Sequence, residues 1–192
     1  MSEYHALLGE VTFHRSLVEL DERLAAKAQK TGCSCGGTLH HADYPRKPAG
    51  VPRELADLHR RRISFCCDQE GCRRRLTPRS VRFLGRRVYL FAAFLLNSVL
   101  RHGTNEWRAA QLAGLLDVSE ETLRGWRRWW QETFPTTAVW RKLRGWFVPE
   151  IPSADLPGAL LDRSGIRSVS GRVLKLLEHL SPLSVGVIAQ GH

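Results

Sequence analysis

Five cysteines in two short clusters constrain the fold of this chain more than any other feature. The stretch GCSCGG holds Cys33 and Cys35, and CCDQEGC holds Cys66, Cys67 and Cys72. Glycines beside both clusters permit tight backbone turns. Two close pairs of thiolates from two tight turns can enclose a tetrahedral zinc ion. The segment between the pairs is long enough for two strands and a loop, so the sequence predicts a zinc ribbon.

The predicted Zn²⁺ ligands are Cys33, Cys35, Cys67 and Cys72, with Cys66 as the alternative to Cys67. Strand alternation gives a slight preference between the two neighbours. Ile63, Phe65 and Cys67 fall on one face of a strand, whereas Cys66 falls on the other. If Ile63 and Phe65 face a small core, Cys67 turns toward the metal with them.

The cysteine spacing leaves alternatives open. One residue separates the first pair and four or five separate the second, whereas two is the commonest spacing in zinc knuckles. His40 and His41 are reserve ligands. A disulfide interpretation needs an oxidising compartment and leaves an odd cysteine.

Positive charge is concentrated next to the second cluster. Between residues 46 and 101, fourteen residues are Arg or Lys and four are Asp or Glu, an excess that equals the net charge of +10 of the whole chain. Arginine matches phosphate oxygens and guanine edges, so this excess favours nucleic acid over a merely solvated face. The predicted contacts here are Arg46, Lys47, Arg73, Arg74, Arg75, Arg79, Arg82, Arg86 and Arg87.

Two helices joined by a short turn are predicted downstream. Residues 105–116 have the apolar period of one helix, and Ser119 is placed to cap the next. Glu120 and Glu121 follow where the helix dipole favours negative charge. The apolar residues 88–101 would be the first helix of a three-helix core.

The second helix of this pair has an apolar side and a basic side. A helical wheel places Leu123, Trp126, Trp129 and Trp130 on one arc. Arg124, Arg127 and Arg128 are predicted on the opposite arc and are expected to contact DNA, as in a helix-turn-helix that enters the major groove. A solvated basic face is the alternative.

The predicted fold class is α+β, with a small N-terminal β zinc ribbon, an all-α helix-turn-helix domain and a C-terminal helix. The predicted units are a lead-in helix (1–31), the zinc ribbon with its basic surface (32–87), the helix-turn-helix DNA-binding domain (88–148), and a linker with an amphipathic helix (149–192). The C-terminal helix is expected to serve self-association or partner docking. Trp140 and Trp146 are expected to be packing residues.

A cytoplasmic location without a membrane partner is expected. The most apolar run, residues 88–100, is too short for a membrane span and is interrupted by Asn97 and Ser98. The N-terminus lacks the basic start and apolar core of a signal peptide. Clustered cysteines in a reducing compartment bind metal more often than they form disulfides.

Catalysis is not expected. An acidic-triad transposase needs a ribonuclease-H-like fold that holds three carboxylates around two metal ions, and the chain after the helices is too short for one. None of the three tyrosines suits the role of a recombinase nucleophile. Walker and His-Glu-x-x-His motifs are absent from the sequence.

Three stretches resemble short proteins of bacterial insertion elements that combine a zinc ribbon with a helix-turn-helix. They are CSCGGTLHHADYPRKPAG, RRISFCCDQEGCRRRLTPRSVRFLGRRVYL and LAGLLDVSEETLRGWRRWW, within residues 32–134. Such proteins are labelled transposase or transposon-associated. The resemblance implies that the four predicted cysteines bind metal and that Arg124, Arg127 and Arg128 face DNA.

The function expected from these features is a DNA-binding accessory protein of a mobile element. It would bind double-stranded DNA at element ends and position a separately encoded recombinase or transposase. A transcriptional regulator would use the same parts. An RNA-binding zinc protein is a further alternative, since basic ribbons also bind structured RNA. The last alternative is a remnant of a degraded transposase that folds but has no function.

Overall fold

The computed structural model describes residues 3–84, 90–99 and 106–185. Within these ranges the protein is α+β, mainly helical, with a small antiparallel sheet, which confirms the predicted fold class at this level. The predicted contacts Arg86 and Arg87, and Arg101 among the counted basic residues, lie outside the described residues.

Five short strands lie in the cysteine-rich segment, defined here as residues 32–84. They are β1 (Leu39–His41), β2 (Tyr44–Pro45), β3 (Arg61–Arg62), β4 (Phe65–Cys67) and β5 (Arg75–Leu76). Antiparallel pairing gives one sheet in the order β1-β4-β5 and a separate β2-β3 pair. The strands expected around TLHHADY and RRISFCC are therefore present. Strand β5 was not expected, because its residues belong to the arginine run.

Helices make up most of the remaining described chain. They are α1 (Glu3–Ala6), α2 (Val11–Thr31), α3 (Phe91–Val99), α4 (Glu106–Leu116), α5 (Glu120–Arg128), α6 (Ala138–Leu143), α7 (Gly158–Asp162) and α8 (Val169–Leu180). A π-helical turn, Trp129–Thr133, continues α5. Short 3-10 turns lie between these elements, at Leu7–Gly9, Arg53–His59, Phe134–Thr136, Arg144–Trp146, Ser153–Asp155 and Ser181–Val185.

Helix α2 joins two hydrophobic cores. Its leucine stripe places Leu17 and Leu20 in a large core, while Ala25 belongs to a small core behind the sheet. The helix ends at Gly32, whose φ of 75° reverses the chain into the first cysteine turn. Glycine reaches this left-handed region without strain. The segment predicted as a lead-in helix therefore contributes side chains to both hydrophobic cores.

The large core is built around the aromatic residues of α3, α5 and the π-helical turn. The Phe94 ring lies 5.7 Å from Trp126, 4.9 Å from Trp129 and 5.5 Å from Trp130, measured between ring centroids. Leu112 and Leu116 of α4 are buried in the same core. Because large rings bury much apolar surface, this cluster holds the three helices together.

The C-terminal helix α8 also belongs to the large core. Its apolar residues Val173, Leu176, Leu177 and Leu180 are all buried there. The amphipathic pattern was therefore interpreted correctly as a helix. The expectation that its apolar face serves self-association or partner docking is wrong for this face, because the chain's own core already covers it.

The two tryptophans assigned to packing have different environments. Trp140 is 5% exposed and confirms the expectation. Trp146 is 66% exposed and touches the ring of His179 edge to face, at 5.2 Å between centroids. This exposure contradicts its expected role as a packing residue, and Trp146 ends the 3-10 turn Arg144–Trp146 that follows α6.

A buried carboxylate connects α2 to the end of the cysteine-rich segment. Asp21 is 1% exposed and accepts hydrogen bonds from the Ser80 hydroxyl at 2.6 Å, the Val81 amide at 2.6 Å and Arg82 Nε at 2.8 Å. Arg82 also donates to the carbonyls of Leu58 and Arg61. Arg82 is 3% exposed, so its predicted contact with phosphate is wrong: its guanidinium is buried and each of its three nitrogens donates to a group inside the protein.

A second buried polar contact joins α2 to the 3-10 turn Arg53–His59. Nδ1 of His14 lies 2.8 Å from Nε2 of His59, and His14 Nε2 lies 3.0 Å from the Leu8 carbonyl oxygen. Burial, together with the smaller effects of His14 and the Arg82 charge, lowers the pKa of His59 to about 3. Burial also lowers the pKa of His14. Both imidazoles are therefore neutral in the folded protein near neutral pH.

We expect Asp21→Asn to lower the free energy of unfolding by about 3–5 kcal/mol, because it leaves the Arg82 charge buried without its counter-ion. Asp57→Asn is the matched control, since Asp57 pairs with Arg60 on the surface, where both side chains are at least 70% exposed. That change should cost less than about 1 kcal/mol. Chemical denaturation of both variants measures the difference, and equal losses would contradict the role assigned to Asp21.

Acid should destabilise the protein through His14 and His59. Their folded-state pKa values lie below the unfolded value of 6.5, so the unfolded chain binds more protons as the pH falls. Stability is present above the unfolded pKa and is lost as the pH falls below it, by roughly 1 kcal/mol for His59 between about pH 7 and about pH 5.5. Melting temperatures across this window should fall less for His59→Gln than for the unsubstituted protein. Parallel slopes would contradict this assignment.

Candidate metal centre and nucleic-acid interface

The structure brings four of the five cysteines together. The sulfurs of Cys33, Cys35, Cys67 and Cys72 all lie within 4.8 Å of one another. Two sulfur–sulfur distances are 3.4 Å, between Cys35 and Cys67, and 3.7 Å, between Cys33 and Cys72. Four sulfurs at about 2.3 Å from a tetrahedral zinc would be about 3.8 Å apart. The cluster is close enough to hold a metal ion, and its size and donor set are compatible with zinc.

Two tight turns place these sulfurs. In the first, the Gly36 amide donates to the Cys33 carbonyl at 2.9 Å, and Gly36 has a φ of 87°. In the second, the Cys72 amide donates to the Gln69 carbonyl at 3.0 Å, and Gly71 has a φ of 84°. Both glycines occupy left-handed conformations that other residues adopt only with strain.

Gly37 is required for close packing between the two cysteine turns, and the sequence did not predict this role. A Cβ atom built on Gly37 would lie 2.5 Å from Cys67 Sγ. The two turns therefore approach so closely that only a residue without a side chain fits between them. The GG pair was the available sequence signal, but the close approach depends on the tertiary contact.

Cys66 and Cys67 are neighbours in strand β4, and their side chains point to opposite faces of the sheet. Cys67 is fully buried beside Phe65 in the small core, as the alternation argument predicted. Cys66 lies opposite Arg75 in the sheet, and its sulfur is 3.6 Å from the Arg73 carbonyl oxygen. Its sulfur is not among the four that the structure brings together.

The reserve ligands His40 and His41 pair with carboxylates instead of joining the cluster. His40 Nε2 lies 3.3 Å from Asp68, and His41 Nδ1 lies 3.4 Å from Asp43. Asp68 also accepts a hydrogen bond from the Thr38 amide at 2.8 Å. Both histidines therefore have carboxylate partners outside the cysteine cluster.

The cysteines differ in acidity. Hydrogen bonds from Cys35 lower the pKa of Cys33 to about 7, whereas burial raises the pKa of Cys67 to about 12. Thiols must lose their protons to bind a metal ion. Metal uptake at neutral pH would therefore release protons, and the apparent affinity would fall in acid.

Exposed basic side chains are frequent in the cysteine-rich segment. Lys47, Arg73, Arg74, Arg75 and Arg79 are exposed, whereas Arg46 is half-buried with its guanidinium 5.8 Å from the centre of the Phe83 ring. Arg74 Nη1 donates to the Ser34 hydroxyl at 3.0 Å, which links the second cysteine turn to the first. The five exposed cations form the ribbon basic set named in later paragraphs.

Helix α5 begins as the sequence predicted. Ser119 accepts a hydrogen bond from the Thr122 amide at 3.2 Å, and Glu120 and Glu121 lie in the first turn. The preceding turn includes Asp117, with a φ of 51°. A side-chain N-cap of this kind stabilises the start of a helix by about 1 kcal/mol.

The basic side of α5 is narrower than predicted. Arg124 and Arg128 are exposed, whereas Arg127 is half-buried and burial lowers its pKa. Arg127 follows the buried Leu123 by four residues, and residues at that spacing share a helix side. Its placement opposite the apolar arc is therefore wrong. Arg124 Nη2 lies 3.7 Å from Glu121 in an exposed pair.

No protein-family profile, curated protein or solved structure matches this chain. None of the described helices combines the length and hydrophobicity needed to cross a bilayer.

We expect Cys67→Ser to abolish stoichiometric zinc binding, and the adjacent Cys66→Ser to leave it intact, because only Cys67 contributes a sulfur to the cluster. The two substitutions make the same chemical change at neighbouring positions, so each controls for the other. Zinc content of the purified proteins, measured by elemental analysis, provides the test. Loss of zinc from Cys66→Ser alone would contradict the assignment.

Proposed function

We propose that this protein binds duplex DNA through α5 and that a zinc ion held by Cys33, Cys35, Cys67 and Cys72 stabilises an adjoining zinc ribbon. The observation that carries the proposal is the division of α5 into two sides. Leu123 and Trp126 are buried against α3 and α4, whereas Arg124 and Arg128 face outward. A packed helix that presents arginines is what a helix-turn-helix inserts into a major groove.

The ribbon basic set supports a second contact with DNA. Its members are exposed, and three of them, Arg73, Arg74 and Arg75, directly follow the proposed ligand Cys72 in sequence. Such cations bind phosphates without regard to base sequence and make binding depend steeply on salt. Zinc would act here as a structural ion that ties the two cysteine turns together.

The resemblance to insertion-element proteins extends this proposal to a biological role. The protein would be the DNA-recognition component of a mobile element, without catalysis of its own, and would position a separately encoded recombinase or transposase. The α5 geometry supports only the DNA-binding part of this role. A transcriptional regulator would have the same geometry.

Two sets of substitutions should affect DNA binding differently. Arg124→Ala with Arg128→Ala should weaken binding to a selected duplex by roughly 10- to 100-fold and leave nonspecific binding much less affected. Arg73→Ala, Arg74→Ala and Arg75→Ala together should weaken binding to all duplexes alike and reduce the slope of affinity against salt. Fluorescence anisotropy with labelled duplexes over a salt series measures both.

The duplex for this test is obtained by selection from a randomised pool with the unsubstituted protein. A structured RNA hairpin serves as competitor, and zinc content is checked for every variant. If the hairpin displaced the selected duplex at equal concentration, or if both sets of substitutions changed only nonspecific binding, the proposed helix-turn-helix function would be wrong.

A further inference from the structure

A cleft of about 360 Å³ opens beside α5, where the helix passes into the π-helical turn Trp129–Thr133. Its lining includes Thr122, Gly125, Arg128, Trp129 and Glu132. The cleft therefore lies along the exposed part of the helix that we propose to contact DNA. It combines a cation, a carboxylate and an aromatic ring within one short stretch.

Gly125 has no role in the described fold that explains its presence. It lies inside α5, where glycine destabilises a helix relative to alanine. Its φ is not in the left-handed region, and a Cβ atom there would meet nothing within 4 Å in the described part of the chain. Neither backbone geometry nor internal packing requires this glycine. What it provides is open space beside the cleft.

Arg128 and Glu132 present complementary hydrogen-bonding groups to the same cleft. Neither side chain has a hydrogen bond or ion pair with any residue that the structure describes, and they do not pair with each other. Glu121, in contrast, pairs with Arg124. Phosphates would repel an unpaired carboxylate on a DNA-binding side. Such a carboxylate is favourable where it accepts a hydrogen bond from a base amino group.

We propose that this cleft recognises one C·G base pair in the major groove. Arg128 donates to O6 and N7 of guanine, Glu132 accepts from the N4 amino group of cytosine, and Gly125 lets the base edges approach the helix. These are the donor and acceptor patterns that distinguish C·G from the other pairs in that groove. The inference rests on the proposed binding of duplex DNA by α5.

The sign of the effect of Glu132→Ala tests the proposal. The probe is the duplex selected by the unsubstituted protein, together with a series in which each base pair in turn is replaced. For the unsubstituted protein, replacing one C·G pair should weaken binding by roughly 5- to 100-fold. Glu132→Ala should weaken binding to the selected duplex and remove most of the preference at that one position. Glu120→Ala, which removes a carboxylate of α5 outside the cleft, should leave every base preference unchanged.

A pair of glycine substitutions tests the role of the open space. Gly125→Ala and Gly114→Ala both replace an exposed helical glycine at which a Cβ meets nothing within 4 Å in the described chain. Both should raise the melting temperature, because alanine favours the helix. Only Gly125→Ala should weaken binding to the selected duplex, by roughly tenfold or more.

The failure of this inference is distinguishable from the failure of the proposed function. If Glu132→Ala tightened binding equally to all duplexes, the carboxylate would only repel phosphate and the cleft proposal would be overturned. Duplex binding that depends on Arg124 would survive that result. If the unsubstituted protein selected no duplex from the pool, the proposed function would be wrong and this inference with it.

Discussion

The buried Asp21 carboxylate is the interaction on which the arrangement of the described protein most depends. It receives donors from Ser80, Val81 and Arg82, all located after the last strand of the cysteine-rich segment. The Ser80 amide in turn donates to the Ser184 hydroxyl, so the same region is bonded to the 3-10 turn Ser181–Val185. A charge buried without partners is very costly, so these groups must come together for α2 to pack.

A second contact fixes the cysteine-rich segment against the helices that are proposed to bind DNA. The Gly50 amide donates to the Leu116 carbonyl at 3.0 Å, and the Leu90 amide donates to the Ala49 carbonyl at 2.9 Å. A Cβ on Gly50 would lie 3.2 Å from Ala93. The loop between β2 and β3 therefore touches both the end of α4 and the start of α3. This contact connects the cysteine-rich segment to two of the helices in the large core.

The arginines of the basic segment show a limit of composition. Their number favours a polyanionic partner, but it does not predict which individual arginine is free to contact that partner. Arg82 compensates a buried carboxylate, Arg62 is 3% exposed and donates to the Pro78 carbonyl, and Arg73 is exposed. All three come from one basic segment and look equivalent in the sequence. Which of them remains in solvent depends on acidic and carbonyl groups that are distant along the chain, with Asp21 sixty-one residues before Arg82.

The sequence by itself determined the local structure: the two cysteine turns, the main pair of strands, the Ser119 cap and the buried side of α5. Each follows from the conformational preferences and periodicity of adjacent residues. Only the tertiary structure decided the rest. Gly37 must be glycine because the two cysteine turns meet at Cys67, and Arg82 is internal because Asp21 lies beside it. Trp146 is exposed at the end of the 3-10 turn that follows α6. These outcomes depend on contacts between distant segments, which periodicity does not encode.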